Sequence, residues 1–257
     1  MNGGDIGDIG CERPLSIQAG PWKGFILNMR NYVCIIDIKM QFNSKNIRKF
    51  QHLSENPVIG FLLFVLIKSY NACGSCILLI QNLSRPPNID PTAKIHPSAS
   101  ISPKNVYIGK NVIIGEKAII KSGTSIGNQS SIGKSCVIGY DGFQVFRYKD
   151  YRIPIIHTGK VIIGEEVWIG DRTCVDRGLF RKNTSIGSST HVGKNNIIGH
   201  NIQIGSHCFL ENSIAIGGKS IIGDHTRIGN GVSIANRISI KPGSTIQAES
   251  IITRNVK

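Results

Sequence analysis

The chain has 257 residues, a formal net charge of +14 and a pI near 9.6. Aromatic residues make up only 7% while glycine reaches 29, which excludes a core built on large rings and favours a repetitive aliphatic one. The cations are scattered and not interleaved with aromatics, which argues against a nucleic-acid surface and leaves a phosphorylated substrate, an acidic carrier protein or a membrane surface as the anionic partner. Cys11, Cys34, Cys73, Cys76, Cys136, Cys174 and Cys208 are odd in number and widely spread, so a reducing compartment fits better than a disulfide framework. The lone pair Cys73 and Cys76 lacks the second half of a zinc set, and no metal or redox cofactor is implied. No basic stretch followed by an apolar core opens the chain, and a cytoplasmic location is expected.

In chain order, residues 1–85 read as a small α/β domain. "YVCIIDIKMQF" predicts a strand, and Pro57 to Tyr70 predicts a helix. The apolar run from Val58 to Ile67, closed by Lys68, is too short to span a bilayer and is expected to form a buried helix. With "CILLI" following, peripheral contact with an inner membrane stays open. "SRPPNIDP", from Ser84, marks a boundary.

Residues 86–257 follow a period of six. From Ile186 aliphatic residues recur without a slip at Val192, Ile198, Ile204, Leu210, Ile216, Ile222, Ile228, Ile234, Ile240, Ile246 and Ile252. Small or β-branched residues such as Thr190, Cys208, Ser220 and Thr226 fall four places on. A helix of 3.6 residues per turn gives no continuous apolar face at this period, whereas a short strand and a corner, three to a coil, do. The coils then stack as a mainly β, parallel β-helix with residues 18 apart in register, about 4.8 Å between coils. The excursion at 139–160, "GYDGFQVFRYKDYRIPIIHTGK", abandons the period and gathers most of this region's aromatics.

Hexads such as "IGDHTRIGNGVSI" resemble the left-handed β-helix acyltransferases. Three stretches narrow the resemblance: "DGF" ending at Phe143, Asp176-Arg177-Gly178, and "GHNIQIG" with His200 and Asn201. In this order and spacing they are similar to the UDP-3-O-(3-hydroxyacyl)glucosamine N-acyltransferase family of lipid A biosynthesis. The resemblance implies a homotrimer that moves a 3-hydroxyacyl chain from acyl carrier protein, where a phosphopantetheine thioester holds it, to the amino group of a UDP-amino sugar. It implies His200 as general base and Gly218, one coil on, as oxyanion donor, with Asn201 and Phe143 beside the substrate. His191, His207 and His225 read as ordinary polar positions. The family clamps uracil with a segment like F-x-x-N-P-K-Y, and "FILNMRNY" offers Phe25, Asn28 and Tyr32, with one residue inserted and no proline; Arg30 is a candidate for phosphate charge.

Departures are specific. The family's Asp seven residues before the base is Gly193, its Gln three before is Ile197, and a second histidine aligns with Arg237. The ending "PGSTIQAESIITRNVK" is closer to hexapeptide acetyltransferases. Two alternatives follow: a coenzyme A-dependent acetyltransferase for surface polysaccharide sugars, and a non-catalytic trimeric β-helix serving as a binding module.

Overall fold

In the computed structural model, residues 61, 64–72, 85–179 and 182–256 are described. Phe25, Asn28, Tyr32, Arg30, the expected strand at "YVCIIDIKMQF" and the pair Cys73 and Cys76 lie outside the described residues.

Three eight-stranded parallel sheets form the faces of a prism. The first runs from Asn88–Ile89 to Ser239–Ile240, the second from Lys94–Ile95 to Thr245–Ile246, and the third from Ser100–Ile101 to Ile251–Ile252. The chain visits the faces in rotation, as the period of six requires. Strands of two residues suffice because each pairs with the coil before and after it, for example Gln203–Ile204 with Ser185 and Ile186 on one side and Ile221–Ile222 on the other. The second residue of such a strand points inward. Ile108, Ile126, Ile163, Ile186, Ile204, Ile222 and Ile240 make one internal ladder, none more than 3% exposed. Each such side chain contributes roughly 1.5–3 kcal/mol of burial.

The corners explain the rest of the hexad. Thr173 and Thr190, set between strands, turn inward and donate to the Gly193 and Gly205 carbonyls of the next coil. One residue of many corners is left-handed, including Asn111, Asn195, Asn201, Lys219 and Arg237, with φ between 54° and 67°. A non-glycine residue there costs of order 1–2 kcal/mol. Its backbone N–H donates to the preceding coil, as Asn195 does to Asp171 at 3.0 Å, which offsets that cost.

Two expansions break the regularity, both at the edge between the third and first faces. The first is the expected excursion. It leaves after Val137–Tyr140 and rejoins at Val161–Ile163, yet Val161 still pairs with Thr124, so the ladder closes beneath it. Within it the chain forms an antiparallel hairpin, Val145–Tyr148 with Tyr151–Pro154. The second is shorter. Ile163 pairs with Ile186, 23 residues on where 18 is the rule, because Asp176 to Asn183 bulge outward.

A helix over 64–72 is described, and it corrects the expectation of a buried one. Ile67 is buried against Ile153, Ile155 and Leu179, with Phe64 and Tyr70 beside it, but Val65 is 42% exposed and Phe61 56%. The alternation is that of an amphipathic helix with one face on the hairpin. Asn71 secures the junction, donating to the Pro154 carbonyl at 2.7 Å and accepting the Ile156 N–H at 3.1 Å. Among the described residues no helix is long and apolar enough to cross a membrane.

Candidate active site

The edge between the third and first faces carries, coil after coil, the DGF loop, the DRG bulge, His200 with Asn201, Gly218 with Lys219, and Arg237. The strands that precede these corners pair directly, Cys174 with Ile197 and Ile197 with Ala215, which fixes their vertical order.

His200 is buried, 7% exposed. Its Nδ1 lies 2.9 Å from Asn201 Oδ1. The orientation of that carboxamide is settled by Leu179: its N–H donates to Asn201 Oδ1 at 2.7 Å and its carbonyl accepts from Asn201 Nδ2 at 3.1 Å. Oδ1 therefore only accepts, Nδ1 carries the proton, and Nε2 is left with a free lone pair. Burial lowers the His200 pKa below its usual value of 6.5, with Lys219 and Arg237 adding to the shift and the Asn201 hydrogen bond opposing it. The neutral, basic form is favoured.

Gly218 sits against that nitrogen. A Cβ built on it would meet His200 Nε2 at 2.7 Å, so only glycine lets the ring lie there. Its carbonyl accepts from Arg237 N–H at 3.0 Å, and Lys219 N–H donates to the His200 carbonyl at 2.9 Å. Among the described residues no acceptor takes the Gly218 N–H. A base and an unused backbone donor are thus held side by side.

The two other motif stretches anchor the excursion. Arg177 is buried and donates from Nε to the Gly139 carbonyl at 2.7 Å and from a terminal nitrogen to the Ser122 carbonyl, with Asp141 3.7 Å away. The Asp176 carboxyl lies against Gly142, where a Cβ would meet Oδ2 at 2.6 Å. Burial, with Asp141 adding to it, pushes the Asp176 pKa up to about 6.

The structure describes two further residues expected beside the substrate. Asn201 has its carboxamide engaged by His200 and Leu179 and is 8% exposed, so it positions the His200 ring. Phe143 stands 90% exposed on the excursion. Sequence reasoning also missed His157. It is wholly buried, donates from Nδ1 to the Ile155 carbonyl at 3.0 Å, and meets the His200 ring edge-on at 5.3 Å between centroids. Its Nε2 has no partner among the described residues, and burial lowers its pKa to about 4. The only signal for it was a histidine one glycine short of the resumed hexads. Leu179, Lys182 and Lys219 carried none.

No family model matches this chain. It is 43% identical over 67 residues to the UDP-3-O-acylglucosamine N-acyltransferase of Methylococcus capsulatus, covering 23% of this chain and 18% of that protein. It is 41% identical over 58 residues to the protein of the same name from Maricaulis maris, covering 23% and 17%. The chain thus matches less than a fifth of the length of these curated relatives. Among solved structures, the UDP-N-acetylglucosamine O-acyltransferase of Moraxella catarrhalis is 24% identical with a TM-score of 0.43, covering 65% of this chain and 67% of that one. LpxA from Acinetobacter baumannii is 26% identical with a TM-score of 0.46 over the same shares. The resemblance carried by the DGF, DRG and HN stretches recurs in the names of the curated relatives.

Proposed function

We propose that the chain is an N-acyltransferase that moves a 3-hydroxyacyl group from acyl carrier protein to the amino group of a UDP-activated glucosamine-type sugar, in lipid A biosynthesis. The observation that carries this reading is the pairing of the free Nε2 of His200 with the unused N–H of Gly218. An attacking amine must lose a proton as it adds to a thioester carbonyl, and Nε2 accepts it. The oxyanion that forms is held by the Gly218 N–H. Collapse breaks the C–S bond, and the imidazolium returns the proton to the departing thiolate. No metal or redox cofactor enters these steps, and the setting proposed is cytoplasmic.

A homotrimer belongs to the same proposal. The outer faces carry apolar ladders that a neighbouring prism could cover: Trp168, His191 and Phe209 stack in successive coils with 6.4 Å between centroids, and Trp168 and Phe209 are each more than 40% exposed.

The test is a donor competition. The chain is given UDP-3-O-acylglucosamine with hydroxyacyl carrier protein and acetyl-coenzyme A together, and products are read by mass spectrometry. A long-chain amide is expected, reduced about 10²–10⁴-fold in His200→Ala. An acetylated product would transfer the chain to the coenzyme A-dependent reading. Turnover unchanged in His200→Ala, or no product from either donor, would defeat the assignment.

A further inference from the structure

Three cations lie along the edge that carries His200, and among the described residues no carboxylate pairs with them. Asn201, Lys219 and Arg237 occupy the same corner position in successive coils, with φ of 60°, 67° and 64°. These corners therefore stack one above another at the coil spacing of about 4.8 Å, with Asn201 turned to His200 and Leu179. Arg237 is hydrogen-bonded through its backbone to Gly218, and Lys219 to His200. Lys182, at the end of the DRG bulge, joins them: its charge and that of Arg237 add to the burial that lowers the Lys219 ammonium to about 8.

Elsewhere the protein pairs comparable cations. Lys194 lies 3.2 Å from Asp171, Lys134 reaches Glu116 at 3.9 Å, and Arg177 has Asp141. Among the described residues no carboxylate stands within 4.0 Å of Lys182, Lys219 or Arg237. Arg237 Nε, moreover, is buried with no acceptor among them. Arg237 as a whole is half-buried, but a buried N–H donor without an acceptor, beside two like charges, costs stability that an anion bound there would offset. The group that fits has several acceptor oxygens and more than one negative charge, which is the chemistry of a phosphate.

We infer that Lys182, Lys219 and Arg237 form a binding site for a phosphate or diphosphate group, placed so that a ligand held there reaches the His200 and Gly218 pair. The reach toward the pair rests on the acyltransfer reading; the anion site itself does not. The cations flank the base without pairing with it, so the bound group is a handle and not the reacting end. Two sources supply such a group, the diphosphate of a sugar nucleotide and the phosphates of a pantetheine-bearing donor.

The test is calorimetric titration of the full chain at low salt with pyrophosphate, UDP and coenzyme A as separate probes. Wild type is expected to bind at least one of them, with affinity that weakens as salt is raised. Arg237→Gln and Lys219→Gln should each weaken binding tenfold or more, Arg237→Lys should restore part of it, and His200→Gln should leave it unchanged. Binding of UDP but not coenzyme A assigns the site to the acceptor, and the reverse assigns it to the donor. Failure of all three probes with wild type, or variants that bind as wild type does, overturns the site. Pyrophosphate binding without acyl transfer would sink the enzyme reading and keep the site. Normal turnover with Arg237→Gln binding every probe as wild type would do the opposite. Arg237→Lys and a thermal melt of each variant separate lost binding from lost fold.

Discussion

Two of the prism's edges and its third edge are built from the same hexads and end in opposite states. Where the first face turns into the second, and the second into the third, a corner N–H is capped by a side chain one coil on. Lys110 donates to Asn128, Ser206 to Asp224, Lys194 to Asn212 and Lys134 to Asp171, all between 2.7 and 2.9 Å. The third edge keeps its expansions and, among the described residues, leaves groups without partners: the Gly218 N–H, His200 Nε2, His157 Nε2 and Arg237 Nε. Among the described residues, no buried side-chain nitrogen or oxygen on the framed edges lacks a hydrogen-bond partner. The site edge holds such groups rigidly between ladders that need no help from it.

Glycine substitutions break this comparison most sharply. At Gly115, on a framed edge, an added Cβ meets the backbone of the next coil, Gly133 C at 2.8 Å and Lys134 N at 2.9 Å. Gly115→Ala should cost about 1–3 kcal/mol in chemical unfolding and leave the turnover of the remaining folded enzyme intact. At Gly218 the three atoms nearest the Cβ all belong to the His200 ring. Gly218→Ala should lower turnover about a hundredfold or more with little change in unfolding midpoint, because the ring yields and the backbone does not. Equal effects of the two changes on stability would mean that the edges do not differ as described.

The second prediction concerns the base. On the proposed mechanism the rate depends on neutral His200, so kcat/KM should fall as pH drops through the pKa of that imidazole, which lies below 6.5. Asn201→Asp places a carboxylate at Nδ1 and favours the imidazolium. The acid limb should therefore move to higher pH, with tenfold less activity near pH 6 than at the plateau as a rough scale. An unshifted limb would remove His200 as the titrating group.

How far the sequence foretold this contrast depends on the kind of residue. Inward aliphatic positions were legible because each repeats every six residues and the period has one geometric solution. His200 and Gly218 were found by motif and by their 18-residue offset, which stacking makes a contact. The HN dipeptide marks Asn201, but its engagement by Leu179 is not legible in the sequence, because Leu179 is 22 residues away and acts through backbone atoms. His157 was missed for a related reason: the excursion has no period, and its path over the corner is set by Arg177, Asn71 and the helix over 64–72. The uridine-clamp expectation at Phe25, Asn28 and Tyr32 lies outside the described residues.

His157 gives a third test. Its pKa is held near 4 against an ordinary 6.5, so between those values the unfolded chain takes up a proton that the folded chain refuses, and stability falls as pH falls. Asp176, raised to about 6 from 3.8, acts in the opposite sense over much of the same window, because its proton is retained on folding. Wild type alone shows only the difference between them. His157→Asn keeps a donor for the Ile155 carbonyl and removes the imidazole. Its unfolding midpoint relative to wild type should rise as pH is taken from about 7 to about 4.5, while parallel curves would show that His157 protonates as easily folded as unfolded.

The smallest effect is expected where the frame is capped. Asn212 accepts the Lys194 N–H at 2.8 Å and donates to Asn230 at 3.0 Å, on an edge away from His200. Asn212→Ala exposes one N–H to water, which partly replaces the lost acceptor, so the cost should be about 0.5–1.5 kcal/mol in denaturant unfolding. Turnover and anion binding should both be unchanged, since the strands below and above remain paired and the site edge lies across the prism. A tenfold loss of turnover in this variant would mean that strain passes from a framed edge through the aliphatic ladders to His200, and the rigidity attributed to those ladders would have to be given up.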